Sequence, residues 1–366
     1  MSNRRNNIVT LCLLGGCIFG FGLWARFKPD DALSQSERRQ LTQRPALTLS
    51  SVMDGSYMSN YEKYAPDQFP LRDSFRTVKA LVSYDLLRQK DNNGVYLENG
   101  YASKLEYPMN LDSLDHAAER FQYLYEHYLK DNAGKLYLSV IPDKNAFLAQ
   151  QGGYPAMDYD VFIQEVRERA PYLQYIDVTD LLSIEDYYRT DLHWRQEQIA
   201  DVAQRLAQEM GTQVGDRYRE KELERPYYGV YYGYAALPLP AEQIRYLTSD
   251  VLEACTVYNY ETQTTGPIYD LEKGSGKDPY ELFLSGSVSL LRIDNPAADT
   301  DRELIIFRDS FGSSLAPLLA EGYKTITLVD IRYLGSPMLG RMLDFHGQDV
   351  LFLYSTGVLN HSETLK

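Results

Sequence analysis

The sequence predicts an α/β protein with a mostly parallel sheet, a β-rich insertion and one membrane-spanning segment at its N-terminus. Three observations predict this. Apolar strand-length runs alternate with helix-period segments from "KLYLSVIP" to "DVLFLY", the rhythm of β–α–β units with right-handed crossovers. The stretch "IVTLCLLGGCIFGFGLWA", Ile8 to Ala25, carries no charge. The chain of 366 residues is long enough to bury a sizeable core in one elaborated domain.

From the N-terminus, Arg4 and Arg5 precede the apolar run, and Arg26 and Lys28 close it. As a helix, Ile8 to Ala25 spans roughly 27 Å, close to the ~30 Å hydrocarbon core. Trp24 suits the interface. This reads as an uncleaved signal anchor. A lipoprotein signal competes, because Leu14-Gly15-Gly16-Cys17 resembles a lipobox. Apolar sequence continues past Cys17, which favours the anchor. No A-x-A-like cleavage site follows.

Residues 29 to 85 read as a membrane-proximal stalk and lead-in helices, and 86 to 366 as the main domain. From Leu71, apolar residues recur at helical spacing: Leu71, Phe75, Val78, Leu81, Val82 and Leu86. Asn92-Asn93-Gly94 and Asn99-Gly100 frame a short strand, Val95 to Leu97. Helix patterns follow at about 112–130, over "YDVFIQEVRERA", and over "HWRQEQIADVAQRLAQEMG" up to Gly211. Strands are expected at Lys135 to Pro142 and at "LQYIDV". Residues 212 to 300 differ: tyrosine-rich short runs alternate with turns, as in β hairpins inserted into or laid over the main domain. The α/β rhythm then returns. Strands are expected at Leu304–Arg308, Lys324–Asp330 and Asp349–Tyr354, and helices at Ser313–Glu321 and Pro337–Phe345.

Composition excludes several functions. The net charge of −14 argues against nucleic acid, which needs a basic surface. Cys12 and Cys17 lie in the apolar run and only Cys255 remains elsewhere, so no cysteine cluster can hold zinc. The 31 tyrosines suit sugar or protein contact, and serve equally as strand and core residues. Five histidines, at 116, 127, 193, 346 and 361, make a short list of possible bases.

Ligands of such sheets bind beyond the carboxyl ends of the strands. Reading past each strand finds Pro142-Asp143-Lys144-Asn145, then "YYRTDLHW" (Tyr187 to Trp194), Asp309-Ser310-Phe311-Gly312 and Asp330-Ile331-Arg332-Tyr333. A serine on a strand-to-helix corner exposes its hydroxyl beside helix N–H groups that can stabilise an oxyanion. It needs a base to take its proton. His193 is the candidate base, with Asp191 to orient it. Arg332 suits an anionic or carbonyl group, and Gly312 permits close backbone approach. Each residue has a plainer role open to it. Asp309 or Ser310 suits a helix cap, as do Asp191 and His193; Arg332 suits an ion pair, and Lys144 a loop charge. No G-x-S-x-G elbow is present.

"TDLHW", Thr190 to Trp194, resembles the signature of the DHHW family of bacterial cell-surface proteins, which are similar to the AlgX/AlgJ type of polysaccharide O-acetyltransferase. Leu192 stands where the literal string has its first histidine. "SERRQLTQRP", "YAPDQFPLRD", "VIPDKNAF", "DPYELFLSGS" and "LIIFRDSFGSSLAPLLAEGYKTITLVDIRYL" resemble family landmarks in the expected order, from about residue 35 onward. The resemblance implies an SGNH-hydrolase-like (flavodoxin-like) domain with helices on both faces of the sheet. It implies Ser310 as nucleophile, His193 as base and Asp191 as orienting acid, with no metal or organic cofactor. Arg332 and Tyr333 match a motif at the site mouth. Lys144 and Trp194 are further expected substrate contacts, and Gly286, in "FLSGSV", an expected oxyanion donor. The implied activity is acetyl transfer to, or removal from, a cell-envelope polysaccharide outside the cytoplasm. A membrane-bound acyltransferase would be the partner. A non-catalytic glycan-binding or assembly protein on the same fold is the alternative, and a lipid esterase a third reading.

Overall fold

The structure, a computed structural model, describes residues 2–366. The chain forms two compact units: residues up to Asn92 with Tyr232–Pro238, and Asn93–Tyr231 with Leu239–Lys366.

The first unit opens with helix α1 (Ser2–Phe27), whose Arg4–Phe27 portion is long and apolar enough to cross a membrane. Helices α2 (Ser56–Asp67) and α3 (Arg72–Leu81) follow. The segment before them ties the two helices by ion pairs: Arg39 and Arg72 pair with Glu37 and Asp67, and Arg76 pairs with Glu37. The periodic stripe expected from Leu71 lies on α3 and the turn after it, but it stays exposed.

The second unit is built on an eight-stranded sheet. Its strands are β1 (Leu136–Ile141), β2 (Gln174–Tyr175), β3 (Thr256–Asn259), β4 (Thr264–Pro267), β5 (Leu290–Asp294), β6 (Glu303–Arg308), β7 (Thr325–Val329) and β8 (Asp349–Ser355). The spatial order is β4-β3-β5-β7-β6-β8-β1-β2. Strands β7, β6, β8, β1 and β2 run parallel, while β5, β3 and β4 add antiparallel neighbours. The tyrosine-rich segment thus extends the central sheet itself.

The parallel strands are near-continuous apolar runs because both faces are covered. Alternation divides them. Leu304, Ile306, Leu351 and Leu353 pack with helices α6 (Ala200–Glu209) and α7 (Phe311–Leu319). Ile305, Phe307, Val350 and Phe352 pack with α4 (Leu111–Leu124) and α5 (Tyr159–Arg169). The result is a three-layer sandwich whose carboxyl-end rim gathers the loops after β1, β6, β7 and β8. The helix expected from His193 begins later: residues 190–195 form a loop, Gln196–Gln198 a 3₁₀ turn, and α6 starts at Ala200.

Candidate active site

The corner after β6 divides its duties between two residues. Asp309 is fully buried and caps the helix that follows: its Oδ1 accepts from the Phe311 N–H at 3.0 Å. Its Oδ2 accepts from the Ser355 N–H and hydroxyl at 2.8 and 2.6 Å, tying the corner to the end of β8. Ser310 makes no side-chain cap, so its hydroxyl is left for other work. Among the described residues no protein acceptor takes the Ser310 backbone N–H. Gly312 is required by space. A Cβ there would stand 2.8 Å from Cβ of the buried Arg308.

The second component is the loop 187–194, closed by a bridge between Tyr187 and Trp194 and by the Tyr188 N–H on the His193 carbonyl. Within it His193 Nδ1 lies 2.6 Å from Asp191 Oδ1. His193 Nε2 lies 2.7 Å from Ser310 Oγ. The carboxylate requires the proton on Nδ1, which leaves the Nε2 lone pair facing the serine hydroxyl. Both Asp191 and His193 are buried, while Ser310 is partly exposed. Asp191, His193 and Ser310 therefore form one hydrogen-bonded chain at the rim.

Backbone groups hold this loop. Asp191 Oδ2 accepts from the Val230 N–H at 2.8 Å, and Oδ1 also accepts the His193 N–H at 3.1 Å. Glu242 accepts from the Arg189 N–H, the Thr190 N–H and the Thr190 hydroxyl at 2.6–2.7 Å. Gly229 donates to Thr190 Oγ1, and its missing side chain lets two backbones touch: a Cβ would lie 2.3 Å from Asp191 N.

Two expected substrate contacts are corrected by burial. Trp194 is fully buried, and its Nε1–H donates to Ser314 Oγ at 2.9 Å and to the Phe311 carbonyl at 3.2 Å. It ties the histidine loop to α7 and offers no surface to a ligand. Lys144 is buried too, and its Nζ donates to the carbonyls of Tyr188 and Arg189 at 2.9 and 3.2 Å. Burial pushes the Lys144 pKa down to about 7, against the pull of Asp191, Glu242 and Asp143. Lys144 supports the histidine loop from beneath.

Arg332 and Tyr333 lie at the rim after β7. Arg332 grips Asp330 with Nε and Nη2 at 2.9 and 2.7 Å. Burial works against its charge, but this bidentate contact outweighs it and holds the pKa above the ordinary value. The Tyr333 ring sits beside the guanidinium, 5.5 Å away, and is exposed. Behind them, fully buried Arg308 approaches the same Asp330 at 3.8 Å. Its pKa is pushed down, first by burial. Gly286 adopts φ +84° in a turn, where its N–H donates to the Phe283 carbonyl at 3.2 Å. That N–H is already engaged, so Gly286 is corrected as an oxyanion donor.

Sequence reasoning missed Tyr280, whose ring stacks on His193. It also missed Ser314, Glu242 and the Gly229–Val230 pair. Only Gly229 left a local signal, a lone glycine between tyrosine pairs in "YYGVYY". Val230, Glu242, Tyr280 and Ser314 lie 37 to 121 residues from His193 in the chain (230 − 193 and 314 − 193).

No family profile and no curated protein matches the chain. Solved structures do. A DHHW family protein from Eubacterium siraeum superposes with a TM-score of 0.62 at 19% identity, covering 75% of this chain and 95% of that one. Bacillus cereus PatB1, solved with a sulfonyl adduct, gives 0.55 at 16% identity, covering 72% and 97%. The O-acetyltransferase domain of Pseudomonas putida AlgJ gives 0.45 at 13% identity, covering 73% and 92%. The mostly parallel sheet with helices on both faces is thus the fold of the DHHW protein and PatB1, in agreement with the SGNH-hydrolase-like architecture the sequence motifs implied.

Proposed function

We propose that this protein is a membrane-anchored acyl-transfer enzyme acting outside the cytoplasm, moving acetyl groups onto or off a cell-envelope polysaccharide. The observation that carries the reading is the Asp191–His193–Ser310 chain, with contacts of 2.6 and 2.7 Å. Such spacing lets the imidazole take the serine proton as the oxygen attacks. Ser310 Oγ attacks the acyl carbonyl, and His193 Nε2 accepts its proton. Asp191 holds the imidazole tautomer and stabilises the imidazolium. The Ser310 N–H, just before α7, has no protein acceptor among the described residues and would meet the developing oxyanion. The adduct collapses as His193 returns the proton to the departing oxygen of the donor, leaving Ser310 acylated. The freed imidazole then takes a proton from the acceptor, a sugar hydroxyl for transfer or water for hydrolysis, as it attacks the acyl carbon and releases Ser310. The acetyl group and the polysaccharide come from the motif resemblance, as does a membrane-bound partner supplying acetyl groups. Residues 8–25 would hold the chain in the membrane.

The alternative of a non-catalytic binding protein would leave the histidine and serine apart. Their direct contact supports chemistry instead. The test uses the full chain in detergent. A sulfonyl fluoride should modify Ser310, read by peptide mass spectrometry, as PatB1 carries a sulfonyl adduct. Acetate release from a chromogenic acetyl ester should fall by about 10³-fold or more in Ser310→Ala and in His193→Ala. Equal rates in all three proteins, with no modification of Ser310, would refute the reading.

A further inference from the structure

Helix α3 is built the wrong way round for a soluble protein. A surface helix ordinarily turns its apolar stripe to the core. Here Leu71, Phe75, Val78 and Val82 fall within about 60° of one another at ~100° per residue, yet they are 52%, 45%, 55% and 39% exposed. Ala80, about 170° from the middle of that stripe, is fully buried. Arg76 also lies away from the stripe and is engaged inward, with Nη2 on the Gly233 carbonyl at 2.6 Å and an ion pair to Glu37. The stripe therefore points out of the protein, and exposed Leu86 and Leu87 follow it in the chain.

A second observation says what covers it. Phe21 of α1 stacks on Phe69 at 5.6 Å and meets Phe75 edge-on at 5.5 Å; Phe69 and Phe75 are themselves 5.6 Å apart. Phe21 precedes Trp24 by three residues, roughly 4.5 Å along the helix axis. With Trp24 at the interface, Phe21 lies just inside the hydrocarbon. A helix whose Phe75 touches Phe21 is held at that depth. Charges complete the pattern: exposed Arg26 at the end of α1 and exposed Lys79 at the edge of the stripe suit headgroup phosphates.

We infer that α3 and the turn after it, about residues 69–87, lie in the plane of the membrane, their apolar stripe sunk into the headgroup–acyl boundary of a phospholipid bilayer. An interfacial helix of this kind pairs a strongly apolar face with a charged one. The first unit thereby grips the bilayer at two places, along α1 and along α3. This rests on the reading of α1 as a membrane span.

The test uses the full chain, with Cys12→Ser and Cys17→Ser, in phosphatidylcholine–phosphatidylglycerol vesicles. Single spin labels are placed through Leu71→Cys, Phe75→Cys, Val78→Cys and Val82→Cys, with Thr77→Cys on the opposite side and Leu14→Cys in α1. Collisions with oxygen, which concentrates in lipid, are compared with collisions with a water-soluble nickel chelate. The stripe labels should favour oxygen over nickel several-fold more than Thr77→Cys does, and Leu14→Cys should favour it most. Nickel access along the stripe equal to that at Thr77→Cys, with Leu14→Cys still immersed, would overturn the inference and leave the anchor standing. Stripe labels immobilised and shielded from both reagents would mean a second copy covers the face, and would also overturn it. Nickel access at Leu14→Cys would remove the membrane span itself.

Discussion

The imidazole of His193 lies flat on the ring of Tyr280, with centroids 3.8 Å apart and planes 7° from parallel. The Tyr280 hydroxyl donates to Ser314 Oγ at 2.9 Å, the same oxygen that accepts from Trp194 Nε1. Ser314 is one turn along α7 from Ser310, so one hydroxyl ties the histidine's neighbour, its stacking partner and α7 together. In the proposed reaction the aromatic face would also stabilise the imidazolium formed when Ser310 gives up its proton. Tyr280→Leu should lower kcat for ester hydrolysis about 10-fold, the equivalent of ~1.4 kcal/mol, with KM little changed. Tyr280→Phe keeps the ring and should recover most of that loss. Equal losses in the two variants would assign the effect to the hydroxyl network instead.

Asp191 is the acid whose replacement tests orientation apart from shape. Asp191→Asn keeps the size of the side chain but presents an amide to His193 Nδ1 and to the Val230 N–H. The imidazole then loses its reason to carry the proton on Nδ1. Ester hydrolysis should fall about 10³- to 10⁴-fold, while the thermal midpoint moves far less than the rate implies. Parallel measurement of kcat and Tm decides this.

Two glycines are required by contact distance. At Gly229 a Cβ would meet backbone atoms of Thr190 and Asp191 at 2.3 Å, and at Gly312 a Cβ would meet Arg308 Cβ at 2.8 Å. Neither neighbour is the far end of a flexible side chain, so the backbone must shift. Gly229→Ala and Gly312→Ala should each cost about 1–3 kcal/mol of stability, read from urea midpoints. Both should also slow sulfonyl fluoride modification of Ser310, because the shifts fall on the histidine loop and on the corner that carries Ser310.

Lys144 predicts a pH dependence of stability. Its folded pKa is pushed down to about 7, chiefly by burial, from an ordinary 10.5. Between these values the unfolded chain holds a proton that the folded chain has released. Raising the pH through this window therefore favours the folded state, by up to about 1.4 kcal/mol per pH unit. The favourable contribution is complete above the unfolded pKa and is lost as pH falls through the folded one. Lys144→Met removes the group, so the parent should gain stability relative to the variant from about pH 7 to 10. Urea unfolding of both proteins at several pH values measures it; a constant difference would show that the ammonium keeps its proton inside the fold.

The sheet, the corner at Ser310 and the short list of bases were legible because each is written locally. A fully covered parallel strand reads as an apolar run, as Leu304–Phe307 and Val350–Tyr354 do. A helix cap must sit next to its helix, as Asp309 does. Trp194 and Lys144 were misread for the opposite reason. A side chain's type does not say whether it faces a ligand or the interior, and both face inward. Tyr280, Ser314 and Glu242 left no trace, since a ring stack or a hydrogen bond between distant residues has no spacing to reveal it.

By itself the sequence determined the period of the central strands, the position of Ser310 at a strand end and of Asp191 and His193 in one short loop, and the apolar span from Ile8 to Ala25. Periodicity and chain geometry act between near neighbours, so they can be read in one dimension. Tertiary structure alone decided that His193 Nε2 meets Ser310 Oγ across 117 residues, and that the stripe from Leu71 faces outward. The reason is physical: the hydrophobic pattern states which residues share a face, while burial of Ala80 and the inward contacts of Arg76 decide where that face points.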